Sequence, residues 1–225
     1  MTWLLRPAID HNLFNDSQYS DVEIHFSSSW DRTKETSIYH CHKAILSMKS
    51  TFFRQKLDSE PNAKVLQVKD DRDCKDHFEA FLKVLYGYTI QPIENPSRED
   101  IKGIIDIHRQ ATTKYGSPDV QAAACATLQT ILRHQKEDPC LTVNYTEMDL
   151  HDDFESYVVC YYRDCGPYET DMGRILCEFL VKEYTTLLTE ATLQHMIRES
   201  ASFARDALFA ILKHGGIPHL TGDEH

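Results

Sequence analysis

The stretch IYHCHKAILSMKSTFF, residues 38–53, decides between two different kinds of protein. It places His40, Cys41 and His42 side by side. These residues could form a metal or catalytic site, or they could simply lie where a strand runs into a helix. Ile38, His40 and His42 alternate with Tyr39 and Cys41, which is the period of a strand. Adjacent strand side chains point to opposite faces, so Cys41 cannot easily converge with both histidines on one tetrahedral ion. The pattern favours a strand–helix junction.

A zinc-binding or thiol enzyme that uses His40, Cys41 and His42 remains the less favoured alternative. Cys74 and His77, which have two residues between them, are plausible additional ligands. No cysteine lies in a known nucleophile signature, and the chain contains no glycine-rich phosphate loop, no GxSxG and no HExxH. We therefore expect no catalysis and no cofactor.

The composition is that of a folded globular protein with an acidic surface. Its 225 residues include 41% hydrophobic and 26% charged residues, and the formal net charge is -11. An acidic surface repels phosphate, so nucleic acid is not an expected partner. No stretch approaches the roughly 20 apolar residues that cross a bilayer, so no membrane partner is expected either. Seven cysteines without a CxxC pair favour a reducing compartment, the nucleus or cytoplasm.

Hydrophobic periodicity predicts a mixed α and β first part and a helical second part. DVEIHF (21–26) and SIYHCH (37–42) read as a hairpin of two strands, and KVLQV (64–68) as a third strand. Helical spacing follows His42, with Ser50 as the cap of a second short helix. Further helices are predicted around residues 74–87, from Ser97 as cap, and from Ser117 and Pro118. Three more amphipathic segments lie beyond residue 150, the last with Phe203, Ala207, Leu208, Ile211 and Leu212 as its apolar positions.

Several short motifs, taken in order, resemble the BTB/POZ domain family over residues 14–135. They are the pairs Ser20–Asp21 and His42–Lys43, the residue Phe53, the step Leu85–Tyr86–Gly87 and the step Ala111, Lys114, Tyr115. The resemblance implies an α+β fold, in which a small, mainly three-stranded sheet is flanked by helical hairpins and followed by an all-α extension. The expected domains are residues 1–138 and 139–225.

The resemblance also implies a function and a set of sites. BTB domains are non-catalytic interaction modules, so the expected partners are a second copy of the chain, giving a homodimer, and other proteins, with the cullin of a ubiquitin ligase as one candidate. Asp21 and His42 are expected to form a buried polar pair. The residues expected in dimerisation, on a short N-terminal helix, are Leu5, Ile9 and Leu13. The residues expected to dock a partner are Phe52, Lys56, Leu57, Glu60 and Tyr86.

Two features modify this expectation. Cullin adaptors of the family present a hydrophobic-x-Glu step after the helical hairpin, whereas KLDSEPN has Ser59 at that position and Glu60 one residue later. The segment ESASFARDALFAIL resembles the helical extension of small fungal BTB proteins. We expect these later helices to pack on the domain and on one another rather than to bind a separate partner.

Overall fold

The computed structural model describes residues 5–7, 13–29, 35–70, 74–90, 98–137, 157–165, 170–183 and 190–214. The chain divides into two compact units, Met1–Leu128 and Gln129–His225. The strands of the first unit are β1 (Leu5–Pro7), β2 (Val22–Ser28), β3 (Ser37–Cys41), β4 (Val65–Asp70) and β5 (Tyr88–Ile90). The helices that follow or separate them are α1 (Lys43–Lys49), α2 (Thr51–Ser59), α3 (Lys75–Leu85), α4 (Arg98–Thr113) and α5 (Pro118–Glu137).

The main sheet has the order β3-β2-β4. β2 and β3 are antiparallel, with Val22 opposite Cys41, which confirms the predicted hairpin. β4 runs parallel to β2. Parallel strands need a crossover connection, and α1 and α2, which lie between β3 and β4 in the chain, form part of it. Alternate side chains of all three strands are buried, so one face of the sheet covers a core. The predicted small three-stranded sheet is confirmed.

Aromatic side chains fill the core between this sheet and the helices. Phe26 of β2 stacks on Phe78 of α3 with ring centroids 4.2 Å apart. Tyr115, which follows α4, is fully buried and stacks on Phe81 at 4.5 Å and on Phe53 of α2 at 6.1 Å. One tyrosine thus joins the helical hairpin to α3, and each such side chain contributes about 1.5–3 kcal/mol through its burial.

The N-terminal segment differs from the predicted dimerisation helix. Leu5 lies in β1, which pairs with β5 in a separate two-stranded antiparallel sheet, so the expectation that Leu5 belongs to a helix was wrong. Pro7 explains the difference, because a proline is tolerated at the end of an edge strand but disrupts a helix interior. Ile9 lies outside the described residues, and Leu13 is 42% exposed in a non-helical segment.

The predicted helix caps have different outcomes. Ser50 caps α2 as expected, since its side chain accepts a hydrogen bond from the Phe53 N–H. Pro118 is the first residue of α5, as predicted. The capping role predicted for Ser117 was wrong, because its buried hydroxyl makes no hydrogen bond to the described part of the chain. Ser97 lies outside the described residues.

The described segments of the second unit are helical, as predicted. They are α6 (residues 157–165), α7 (Asp171–Glu183), α8 (Glu190–Glu199) and α9 (Ala201–Lys213). α9 buries Phe203, Asp206, Ala207 and Ala210, whereas the predicted apolar positions Leu208 and Leu212 are exposed. Among the described helices, none is both long and apolar enough to cross a membrane.

Candidate protein-interaction surface

The junction between β3 and α1 is held by two side chains from distant parts of the sequence. α1 begins after His42, whose own side chain makes no capping hydrogen bond. The His42 N–H donates instead to the Tyr86 hydroxyl at 2.7 Å, and the Lys43 N–H donates to Asp21 Oδ1 at 2.7 Å. The first turn of a helix has N–H groups without intrahelical partners, and these two contacts satisfy two of them.

The predicted buried pair of Asp21 and His42 is not formed. Asp21 is exposed, and its carboxylate caps the Lys43 N–H. His42 Nδ1 lies 3.1 Å from the Tyr86 hydroxyl, while its Nε2 is buried without a partner in the described residues. Asp21 was placed correctly near the junction, but its acceptor atoms serve the helix N-terminus, where a negative charge is also favoured by the helix dipole.

The thiol of Cys41 is not poised for nucleophilic chemistry. Cys41 is fully buried, and burial raises the pKa of its thiol from 9.0 to about 12, although a hydrogen bond with Tyr86 acts in the opposite direction. Because the thiolate is the reactive form, such a cysteine reacts slowly at neutral pH. Burial likewise raises the pKa of Tyr86 above its ordinary value, so this hydroxyl remains protonated.

His40 faces the other side of the strand from Cys41. Its Nδ1 lies 3.8 Å from Glu23 Oε1, and His25 Nε2 lies 2.9 Å from the other oxygen of the same carboxylate. His77, considered above as a further ligand, has its Nδ1 4.0 Å from Asp106 Oδ2. Across the described ranges, no group of three or more His, Cys, Asp or Glu side chains is placed to hold a metal ion.

The loop after α4 fixes the start of α2. The Ser50 hydroxyl donates to the Tyr115 carbonyl at 2.6 Å, the Phe52 N–H donates to the same carbonyl at 3.3 Å, and the Thr51 N–H donates to the Gly116 carbonyl at 3.1 Å. Gly116 has a φ of 56°, and a Cβ at this position would overlap Thr51 Oγ1. Glycine is therefore required for both backbone conformation and space.

Lys114 ties the same loop to the end of β4. Its Nζ donates to the Lys69 carbonyl at 3.1 Å and forms an ion pair with Asp70, whose side chain is 8% exposed. The Tyr115 hydroxyl lies 3.4 Å from the same carboxylate. The predicted Lys–Tyr step thus holds the loop, and through it the hairpin, in one position.

The structure separates the predicted docking residues into exposed and internal groups. Phe52 is half-buried, packs edge-on against Tyr115 with centroids 5.4 Å apart, and has the Lys56 Nζ 5.8 Å from its ring centroid. Glu60 is exposed at the C-terminal cap of α2. Leu57, in contrast, is only 7% exposed, so its predicted docking role is corrected to a packing role.

Tyr86 is half-buried and works within the domain. Besides capping α1, its ring lies edge-on to Phe14 with centroids 5.4 Å apart. A hydroxyl that accepts the His42 N–H is committed to the fold and is not a free hydrogen-bonding group on a docking surface.

Two exposed residues of the hairpin were missed at the sequence level. Met48 of α1 is 66% exposed, and Arg54 of α2 is exposed with its guanidinium against the end of α1. The Arg54 Nε donates to the Ser47 carbonyl at 2.8 Å, and Nη2 donates to the Met48 carbonyl at 3.5 Å. Helical spacing could have indicated Met48, because a residue two positions after the core residue Leu46 lies on the opposite face of α1.

The second unit contains a buried polar network that the sequence did not predict. The Tyr162 hydroxyl donates to Asp206 Oδ2 at 2.8 Å and lies 3.2 Å from Cys177 Sγ, while Arg205 Nη2 lies 2.9 Å from the other Asp206 oxygen. Burial raises the pKa of Cys177 to about 12 and, together with its two neighbours, raises the pKa of Tyr162. A cation and a hydroxyl satisfy the buried carboxylate, as such a group requires.

The first unit is therefore a small α+β domain with an exposed helical hairpin, in which Asp21 and Tyr86 cap α1. The family model of the BTB/POZ domain matches residues 11–132, more than half of the chain, and the chain belongs to that family. BTB/POZ domains are protein–protein interaction modules. No curated protein and no solved structure matches the chain significantly.

Proposed function

We propose that this protein is a non-catalytic interaction module that associates with itself and docks other proteins through its BTB domain. The observation that carries the proposal is the exposed helical hairpin, where the half-buried ring of Phe52 lies beneath the Lys56 ammonium group. An apolar side chain bordered by charge is the usual composition of a docking surface. The buried thiol of Cys41, with a pKa of about 12, supports the absence of thiol catalysis.

Self-association is supported by the small β1–β5 sheet. Each strand has three residues, with Leu5 opposite Ile90 and Pro7 opposite Tyr88. A two-stranded ribbon of this size is marginally stable by itself. Because the ladder uses backbone groups alone, β1 of a second copy satisfies β5 equally well, and exchange of such an element is a low-cost route to a dimer.

A cullin is the second candidate partner. Glu60 is exposed at the cap of α2, one residue after the position at which the family's docking glutamate is expected. Ser59 occupies that position, and its hydroxyl donates to the Lys56 carbonyl at 2.8 Å, which turns it back onto the helix. Phe52, Lys56 and Glu60 are the residues that we infer would contact such a partner. The nucleus or cytoplasm is the compartment that we propose.

Light scattering on the full chain at tens of micromolar tests self-association. A species of twice 26.0 kDa is expected, and a species of 26.0 kDa alone would contradict it. A pull-down with purified cullin tests the second candidate, with the variant Glu60→Gln as comparison. Retention of cullin by the wild type but not by the variant is expected if this candidate is correct, and no retention by either protein removes it.

A further inference from the structure

The main sheet has two outer edges, and the chain itself occupies part of one of them. β3 forms this edge, where the His40 N–H donates to Asn15 Oδ1 at 2.9 Å. The His40 carbonyl accepts from the Asn15 N–H at 3.2 Å. Asn15 has a φ of 60°, a left-handed conformation that asparagine tolerates better than most residues. The backbone groups of His40 are therefore unavailable to a further strand.

β4 forms the other edge, and its bonds to β2 show which of its backbone groups point outward. The Glu23 N–H donates to the Lys64 carbonyl at 2.9 Å, and the Ser29 N–H donates to the Asp70 carbonyl at 3.2 Å. Successive residues of a strand direct their N–H and C=O groups to opposite sides, so the even-numbered residues of β4 bond to β2. The residues whose backbone groups point away from the sheet are Val65, Gln67 and Lys69.

Most of these outward groups have no partner in the described part of the chain. The Lys69 carbonyl accepts from Lys114 Nζ at 3.1 Å, whereas the three outward N–H groups and the carbonyls of Val65 and Gln67 bond to no described residue. Such an edge is a template for another strand. Lysine is one of the residues that protect strand edges, but Lys69 lies at the end of this edge, and its centre is the exposed, uncharged Gln67.

The outward residues are arranged symmetrically about Gln67, which determines how a second copy fits. Antiparallel pairing that places Gln67 opposite itself also places Val65 of each copy opposite Lys69 of the other. Every outward residue then belongs to a hydrogen-bonded pair that exchanges two N–H···O bonds. A shift of two residues leaves one outward residue of each strand without a partner, and a shift of one residue puts outward groups opposite inward ones.

The side chains are compatible with this register. On the core side of the sheet, Leu66 lies opposite Val68 of the second copy, and both side chains are apolar and buried. On the open side, Val65, which is 37% exposed, lies opposite Lys69, whose aliphatic stem can cover it. Cross-strand pairs of this kind stabilise a sheet. The joined sheet keeps one apolar face and one polar face.

Charge permits this pairing but does not drive it. Lys64 lies opposite Asp70 of the second copy, which already forms an ion pair with Lys114 of its own chain. Neither Lys64 nor Lys69 lies directly opposite a like charge. The net charge of -11 on each copy opposes association, so added salt should strengthen it. The charged residues that follow in the sequence lie outside the described residues: Asp71, Arg72 and Asp73.

We propose that β4 is a self-association strand, which pairs antiparallel with β4 of a second copy about Gln67 and joins two three-stranded sheets into one. The inference goes beyond the proposed β1–β5 exchange and does not depend on it, because different strands are used. A second copy is favoured over an unrelated strand, since its outward residues have the matching spacing. Two six-residue strands make a small interface, and small interfaces are weak.

Cysteine cross-linking of the full chain tests the register. Gln67→Cys should form a disulfide with the same variant of a second copy, because Cα atoms in a hydrogen-bonded pair lie about 5.5 Å apart, within the range of about 4.4–6.8 Å that a disulfide spans. Val65→Cys should not link to itself, since four residues, roughly 14 Å, separate the two positions along the strands. A mixture of Val65→Cys and Lys69→Cys should link.

Oxidised glutathione drives the reaction, and mass spectrometry of peptides identifies the bonds. The native Cys160 is exposed and reports the rate of linkage by random collision. Val65→Cys that links to itself as fast as Gln67→Cys would overturn the proposal, as would linkage of Gln67→Cys no faster than that of Cys160.

Two substitutions at one position separate backbone pairing from side-chain effects. Gln67→Pro removes an outward N–H without removing a bond to β2, and proline is tolerated on such an edge. Gln67→Thr keeps the N–H and suits a strand. In sedimentation velocity at rising concentration, the wild type and Gln67→Thr should form species larger than those of Gln67→Pro. Equal association of all three proteins contradicts the proposal. If circular dichroism shows that Gln67→Pro is unfolded, the cross-linking decides.

A competing peptide distinguishes a second copy from other strands. A peptide of residues 64–70, KVLQVKD, should suppress the Gln67→Cys disulfide, and a scrambled peptide of the same composition should not. Equal suppression by both would show that the edge accepts any extended chain and would overturn the choice of a second copy. If the disulfide does not form while light scattering still shows twice 26.0 kDa, this inference fails and the proposed exchange stands. A disulfide in a chain that scatters as 26.0 kDa at tens of micromolar would support the inference and contradict the exchange.

Discussion

Tyr86→Phe tests how the strand–helix junction is built. The substitution keeps the ring, with its contacts to Phe14 at 5.4 Å and to the His42 ring at 5.8 Å, and removes the hydroxyl alone. The His42 N–H, 2.7 Å from that hydroxyl, then loses its acceptor. His42 is the N-terminal cap residue of α1 and has no side-chain capping bond with which to compensate.

The magnitude follows from two independent estimates. A polar group left without a partner on burial costs about 1–3 kcal/mol, and losing a capping interaction costs about 0.5–2 kcal/mol. His42 is half-buried, so water replaces part of the lost bond, and we expect the free energy of unfolding to fall by about 1–2 kcal/mol. For a chain of 225 residues this corresponds to a fall of about 2–8 °C in Tm.

Urea denaturation followed by circular dichroism measures the loss, and hydrogen exchange locates it. Amides of α1, Lys43–Lys49, should exchange faster in Tyr86→Phe than in the wild type. Tyr19→Phe makes the same chemical change at a side chain that is 61% exposed and should behave as wild type. The reasoning is refuted if Tyr86→Phe and Tyr19→Phe unfold at the same urea concentration and the α1 amides exchange at the wild-type rate.

Three further predictions concern space and thiol chemistry. Gly116→Ala should lower the free energy of unfolding by about 1–3 kcal/mol, because its Cβ overlaps Thr51 Oγ1 at a positive φ; urea denaturation should show partial recovery with Thr51→Ala added. Gly173→Ala should destabilise the second unit, because the new Cβ would lie 2.8 Å from the Tyr162 hydroxyl. Overpacking costs about 1–3 kcal/mol, which exceeds the gain in helix propensity of about 1 kcal/mol. Faster hydrogen exchange in α6 is the expected result. Cys41, with a thiol pKa of about 12, should remain slow to react with iodoacetamide from about pH 7 to about pH 9 in the native protein, whereas the exposed Cys160 reacts; rapid modification of Cys41, mapped by mass spectrometry, would contradict this.

Local periodicity was sufficient to predict the three strands of the main sheet and the helical pair after His42, whereas the arrangement of the strands in one sheet was implied by the BTB/POZ resemblance. The alternation in DVEIHF and SIYHCH survives in the structure because one face of the sheet is buried, and a shift of one residue would expose Val22 and Cys41 together. The cap at Ser50 was predictable for a similar reason, since its hydroxyl reaches an N–H only three residues away. These local patterns were read correctly, whereas the cap at Ser117 and the apolar positions Leu208 and Leu212 of α9, also local, were not.

Contacts between distant residues were not readable in the same way. Asp21 was assigned to the correct region but to the wrong partner, because the choice between the His42 side chain and the Lys43 N–H depends on a few ångströms of three-dimensional placement. The capping role of Tyr86, 44 residues from His42, has no local signal. Leu5 was misread because four-residue spacing of apolar residues fits a helix, whereas a short strand is determined by its partner β5.

Several polar groups in and around the opening stretch make hydrogen bonds that hold the fold together. Asp21 and Tyr86 cap α1, the Cys41 thiol is buried beside that tyrosine, and Ser50 holds the next helix to the loop after α4. A group already satisfied by the backbone has little capacity to bind or transform a substrate, since its release would cost the capping interaction. The hairpin leaves the apolar side chain of Met48 exposed. The first unit thus uses its polar groups at the junction to hold the fold together, and exposes other side chains of the hairpin to solvent.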